Sequence, residues 1–158
     1  MKSLPEEMAV GTLDSPVGTL AIIASDAGIH AITWERTKPK DDHPLIDRAR
    51  RQLEEYFEGK RTRFDLPLAP RGTPFQLRAW RELARIPYGK TISYEEQARR
   101  LGNAKAMRAV GLANGKNPIG IVVPCHRVIA KSGKLAGFGG GIENKRFLLD
   151  LERQRSNT

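Results

Sequence analysis

The 158-residue sequence contains one cysteine, in the run Pro124-Cys125-His126-Arg127-Val128. Thiolate is the reactive form of cysteine, and a neighbouring base or cation takes the thiol proton or lowers its pKa. His126 can supply the base and Arg127 a positive potential, which makes Cys125 a candidate nucleophile. A lone cysteine is more often a small buried hydrophobe; the His-Arg context reverses that expectation. The preceding run, Ile119-Gly120-Ile121-Val122-Val123, is apolar and β-branched and predicts a buried strand ending at the cysteine. Strand neighbours point to opposite faces, so His126 would reach Cys125 through an intervening water or a bend at Pro124. Such a pair usually needs an orienting acid. Glu143, Asp150 and Glu152 all lie on the helix predicted over Ile142 to Arg153, and spacing does not choose among them.

The elements that must position these residues fall into two parts. Residues 1–70 read as an α+β scaffold: short strands over Val10–Leu13, Thr19–Ala24 and Ile29–Trp34, with turns at Ser15–Gly18 and Ser25–Gly28. A polar link from Glu35 to Pro44 leads to a helix with Leu45, Ile46, Ala49, Leu53, Tyr56 and Phe57 at helical spacing, stopped by Gly59. His30 and His43 are isolated there and read as structural or exposed. Arg63 to Arg71, with two prolines, reads as a linker. Thr73-Pro74-Phe75-Gln76 opens the next helix as a capping box, and Ser93-Tyr94-Glu95-Glu96 opens another. Gly102-Asn103 breaks the latter, and Ala104 to Asn114, carrying Lys105 and Arg108, forms a third helix; two short helices about a glycine turn are a helix-turn-helix signal. Gly133 to Gly141 holds five glycines, which suits a plain connector or a loop closing over a flat substrate.

Charge separates the same two parts. Residues 1–70 carry 10 Lys and Arg against 12 Asp and Glu, a net −2, whereas residues 71–158 carry 17 against 6, a net +11. A basic surplus confined to the part with the helix-turn-helix points to nucleic acid. No apolar run approaches the ~18–20 residues of a membrane-spanning helix. The N-terminus does not read as a secretory signal. One cysteine excludes an internal disulfide framework and a multi-cysteine zinc site, and a reducing cytoplasm is the expected compartment.

From about Phe75 to Glu152 the chain resembles the O6-alkylguanine-DNA alkyltransferase family, through Arg108-Ala109-Val110-Gly111, Asn117-Pro118 and the Pro124–Val128 pentapeptide; residues 1–70 match more loosely. The resemblance implies a ribonuclease H-like N-terminal domain over 1–70 and a winged helix-turn-helix domain over 71–158 holding the active site. It implies Cys125 as alkyl acceptor, His126 as a water-mediated base, Glu152 as the acid orienting His126, Tyr94 as proton donor to the departing guanine, and Asn117 beside the thiol. It places Arg108 in the gap left by the flipped nucleotide, with Lys105, Ala109, Gly111, Tyr94 and Arg127 at the DNA and Val128, Phe138 and Gly139 around the substrate.

Gly137-Phe138-Gly139 departs from the family pattern, which usually has tyrosine after the first glycine. Phe138 keeps an aromatic wall without a hydroxyl, and Gly139 lacks the serine of some members, so a roomier, more apolar pocket is expected. The implied activity is single-turnover alkyl transfer from O6-alkylguanine in double-stranded DNA, with O4-alkylthymine a further candidate substrate. No cofactor, metal or membrane is implied, and the chain is expected to act as a monomer, with clustering on DNA left open. Two other classes compete: a regulator or lesion sensor that only binds DNA, disfavoured by Cys125, and a Cys-His hydrolase, which the basic helix-turn-helix does not support.

Overall fold

A computed structural model describes residues 8–135 and 137–156. The chain divides into two compact units, one ending at Pro70 and the other beginning at Arg71.

In the first unit β1 (Ala9–Ser15), β2 (Gly18–Ser25) and β3 (Gly28–Thr33) form an antiparallel sheet in that order. Helix α1 (Pro44–Phe57) lies across it, and a side chain at Gly11 would collide with Ile46 and Arg50, so this glycine lets helix and sheet approach. Leu20, Ile22, Ile29, Ile32, Leu53 and Tyr56 are enclosed in the core. The polar link contributes the helix cap: His43 Nδ1 accepts from the Leu45 amide at 3.1 Å, and Pro44 occupies the first turn. His30 is bonded to Ser25 Oγ and the Ala69 carbonyl. Both histidines are structural, as expected. The segment read as a linker is partly tied down, because Ile29 N donates to Pro67 O and Ala69 N donates to Ile29 O, each at 2.8 Å.

The second unit runs α2 (Pro74–Leu83), β4 (Ile92–Ser93), α3 (Tyr94–Arg100), α4 (Met107–Gly115), a 3-10 turn (Cys125–Arg127), β5 (Val128–Ile129) and α5 (Ile142–Ser156). The Thr73–Gln76 capping box is complete. Ser93 caps α3 by accepting from the Glu96 amide, but the Glu96 carboxylate turns to Arg99 and Arg100, so the expected reciprocal bond gives way to ion pairs. Helices α3 and α4 are locked by two buried amides: Gln97 Nε2 donates to Asn114 Oδ1 at 3.0 Å, and Asn114 Nδ2 returns a bond to Gln97 Oε1 at 2.7 Å. Truncating either would strand a buried polar group, at a cost of about 1–3 kcal/mol. Trp80 pins α2 to the pair by donating from Nε1 to the Ala113 carbonyl. The turn at Gly102, with φ of 97°, ends α3 and completes the helix-turn-helix. Helix α4 begins at Met107, three residues after the expected start, so Lys105 stands in the turn before it. Among the described residues no helix is long and apolar enough to cross a membrane.

Candidate active site

The expected strand at Ile119–Val123 is a compact turn. Ile119, Ile121 and Val123 are buried, which explains the apolar run, but Ile121 adopts φ of 69° and Val123 N donates back to Ile119 O. A β-branched residue in the left-handed region costs on the order of 1–3 kcal/mol, so the surroundings must hold it there. Asn117 does much of this: its Oδ1 accepts from Ile119 N at 3.0 Å and its Nδ2 donates to Val123 O at 2.8 Å. The turn delivers Cys125, half-buried, to the start of the 3-10 turn. Burial pushes the Cys125 thiol pKa up, against a hydrogen bond from Asn117 and the positive charge of Lys145.

His126 is fully enclosed, and its Nε2 lies 2.7 Å from Glu152 Oε2. Arg127 donates from Nε to Glu152 Oε1 at 2.7 Å, from Nη2 to Oε2 at 3.0 Å, and from Nη1 to the Ile86 carbonyl at 2.7 Å. Burial alone would raise the Glu152 pKa, but the hydrogen bonds and charges of His126 and Arg127 outweigh it and hold it at about 2. An ionised carboxylate only accepts, so Nε2 of His126 carries the ring hydrogen and Nδ1 is the basic nitrogen. Nδ1 is buried without a hydrogen-bond partner among the described residues. Burial lowers the His126 pKa, opposed by Glu152, and the ring rests neutral, able to take a proton.

Sequence reasoning placed Arg127 at the DNA. In the structure it is buried, and its guanidinium is committed to Glu152 and Ile86, so it braces the acid instead of facing a phosphate. The Val128 side chain is likewise enclosed, with no surface for a substrate; what Val128 offers is its carbonyl. That carbonyl receives Lys145 Nζ at 2.8 Å, from a lysine with no exposed surface. Lys145 was not singled out from the sequence. The signal for it is a charged residue on the buried stripe of α5, where Lys145, Leu148, Leu149 and Glu152 follow helical spacing.

Tyr94 reaches the site through the sheet. The parallel pairing of β4 with β5, Ile92 to Val128 and Ser93 to Ile129, sets the residue after β4 beside the segment after the 3-10 turn. The half-buried Tyr94 ring lies 5.9 Å from Lys145 Nζ, and burial together with the nearby Cys125 raises its pKa, keeping the phenol protonated. Arg108, Ala109 and Lys105 are exposed and Gly111 half-buried on or just before α4. A groove of about 570 Å³ runs past Tyr94, Glu95, Met107, Arg108, Gly111 and Lys131. Phe138 is half-buried and Gly139 exposed in the turn leading to α5, where Asn144 Nδ2 donates to Gly140 O. Among the described residues no group of three or more His, Cys, Asp or Glu could hold a metal ion.

A mixed α/β unit followed by a helix-turn-helix unit with a thiol beside a buried His–Glu–Arg cluster defines a thiol-bearing DNA-binding class. Residues 74–154 match the DNA-binding domain of 6-O-methylguanine DNA methyltransferase, and residues 8–70 match its ribonuclease-like domain. The chain belongs to the 6-O-methylguanine DNA methyltransferase family. It is 49% identical over 152 residues to a methylated-DNA--protein-cysteine methyltransferase of Mycobacterium tuberculosis, covering 92% of each chain. It is 44% identical over 153 residues to one from Methanosarcina acetivorans, covering 92% of this chain and 98% of that one. The structure of Mycobacterium tuberculosis OGT in complex with DNA matches with a TM-score of 0.83 at 50% identity, over 91% of this chain and 92% of that one.

Proposed function

We propose that this protein repairs O6-alkylguanine in double-stranded DNA by moving the alkyl group irreversibly onto Cys125. The observation that carries the reading is the half-buried Cys125 heading a turn whose next residue, His126, has one ring nitrogen bonded to an ionised Glu152 and the other without a hydrogen-bond partner among the described residues. The alkyl carbon is shielded inside a stacked duplex, so the nucleotide turns out at a cost of a few kcal/mol. Arg108, exposed on α4, fills the vacated stack, while Lys105 and the close-approaching Ala109 and Gly111 seat the helix against the DNA.

In the pocket His126 Nδ1 takes the Cys125 proton through one water, and the sulfur attacks the alkyl carbon in line with the C–O6 bond. That bond breaks as the S–C bond forms. Tyr94 gives its phenolic proton to the guanine, which leaves as the neutral base, and the proton on His126 then restores Tyr94. Lys145 and Asn117 stabilise the thiolate as it develops. The product is a thioether with no route back to thiol, so each molecule acts once. Residues 1–70 serve as scaffold, residues 71–158 carry DNA binding and chemistry, and a reducing cytoplasm suits an acceptor that must remain a thiol. Phe138 and Gly139 are proposed to leave room for adducts larger than methyl. Cys125→Ala tests the reading: transfer should vanish while duplex binding stays measurable, and retained transfer would refute it.

A further inference from the structure

The register that brings Tyr94 to the site also carries its neighbour. The β4–β5 pairing ends at Ser93 and Ile129, and just beyond it the first turn of α3 and the turn after β5 bring Glu95 and Lys131 together. Lys131 Nζ lies 3.6 Å from Glu95 Oε1, with the lysine side chain 81% and the glutamate side chain 48% exposed. Both line the groove that holds Tyr94 and Arg108. The second acid of that turn, Glu96, is neutralised by Arg99 and Arg100. A carboxylate on a groove that admits a polyanion is unfavourable unless something covers it, and Lys131 does.

Resting on the reading that DNA occupies this groove, we propose that Lys131 holds a backbone phosphate at the lip of the active site, with Glu95 as the counter-ion it exchanges for that phosphate. An exposed ion pair is weak, so releasing Glu95 carries a small cost that the phosphate contact outweighs. Lysine binds phosphate as a compact point charge on a flexible stem, which lets it swing between the two anions. With Arg108 on α4 also lining the groove, Lys131 supplies a second cation from another element of the unit. In the free protein Glu95 parks the lysine and reduces the groove's attraction for undamaged DNA.

The test is the salt dependence of duplex affinity, measured with methylated and unmethylated duplexes of the same sequence. K131A should weaken both by about twofold to fivefold at low salt, the size of one solvent-exposed charged contact. It should also reduce the slope of log affinity against log salt by about 0.9, the counterion released by one phosphate contact. K131R should restore slope and affinity. E95Q should tighten binding, and by more in the presence of Lys131 than in the K131A background, because only then is an ion pair surrendered. An unchanged slope in K131A would overturn the phosphate contact, and an E95Q effect independent of Lys131 would overturn the exchange. Either could occur while the wild-type chain still methylates at Cys125. Failure of wild-type transfer would instead remove the functional reading beneath the proposal.

Discussion

Arg127 grips both oxygens of Glu152, at 2.7 and 3.0 Å, from within the same three-residue turn that presents His126 to that carboxylate. The guanidinium balances the charge of Glu152, so the buried cluster is neutral with His126 uncharged. Remove Arg127, and Glu152 is left with His126 as its nearest cation; the imidazolium would then be favoured and the base spent.

Arg127→Met should therefore do two things. Denaturant unfolding should show a loss of about 3–5 kcal/mol, the cost of stranding one partner of a buried ion pair. The acid limb of the transfer rate should move to higher pH, as His126 holds its proton more strongly. Arg127→Lys, which keeps the charge without the fork, should recover part of the pH profile and less of the stability. Unchanged stability with an unchanged limb would show that Arg127 does not brace the acid.

The cluster also sets the response of the fold to acid. Glu152 titrates at about 2 in the folded chain against an ordinary 4.5, and its contribution, present above 4.5, is lost as pH falls toward about 2. His126 acts in the same sense: its folded pKa lies below 6.5, so below that pH the unfolded chain takes a proton that the folded chain refuses. Stability should decline from about pH 6.5 downward and more steeply below 4.5. Denaturant midpoints across pH 3–8 would follow this; His126→Gln should lose the upper part of the decline and keep the lower.

Single-turnover transfer should rise with pH along a limb placed below 6.5, where His126 becomes the neutral base, and then hold level. The Cys125 thiol is raised above its ordinary 9.0 and Tyr94 above its ordinary 10.0, so neither should titrate across neutrality. Rapid-quench rates with a methylated duplex would show it. A rate that climbs through pH 7–9 as a free thiol ionises would argue that Cys125 acts without His126.

Arg108→Ala should impair repair of duplex DNA more than reaction with the free modified base, since only the duplex must be opened and its gap filled. The comparison is of second-order rate constants on the two substrates. Equal losses would leave Arg108 no part in extrusion.

Much of this was legible in local signals. The Thr73 capping box, the glycine break at Gly102 and the apolar spacing of α1 each follow from short-range chemistry, and the structure carries all three. The misread parts depend on long-range partners. Ile119–Val123 has the composition of a strand, but the Asn117 side chain satisfies its backbone and bends it into a turn, which periodicity in five residues cannot reveal. Arg127 sits among residues expected at DNA, yet its fate is decided by Glu152, 25 positions away. Lys145 is hidden for the same reason, since only the fold shows that its amine ends on the Val128 carbonyl.

The central claim concerns the single thiol, and mass spectrometry of the protein after incubation with excess methylated duplex tests it most directly. The account predicts a stable gain of one methyl per chain, located on the Cys125 peptide, with demethylated DNA formed in equal amount and no further turnover. Sustained turnover, or demethylation with Cys125 unmodified, would contradict it.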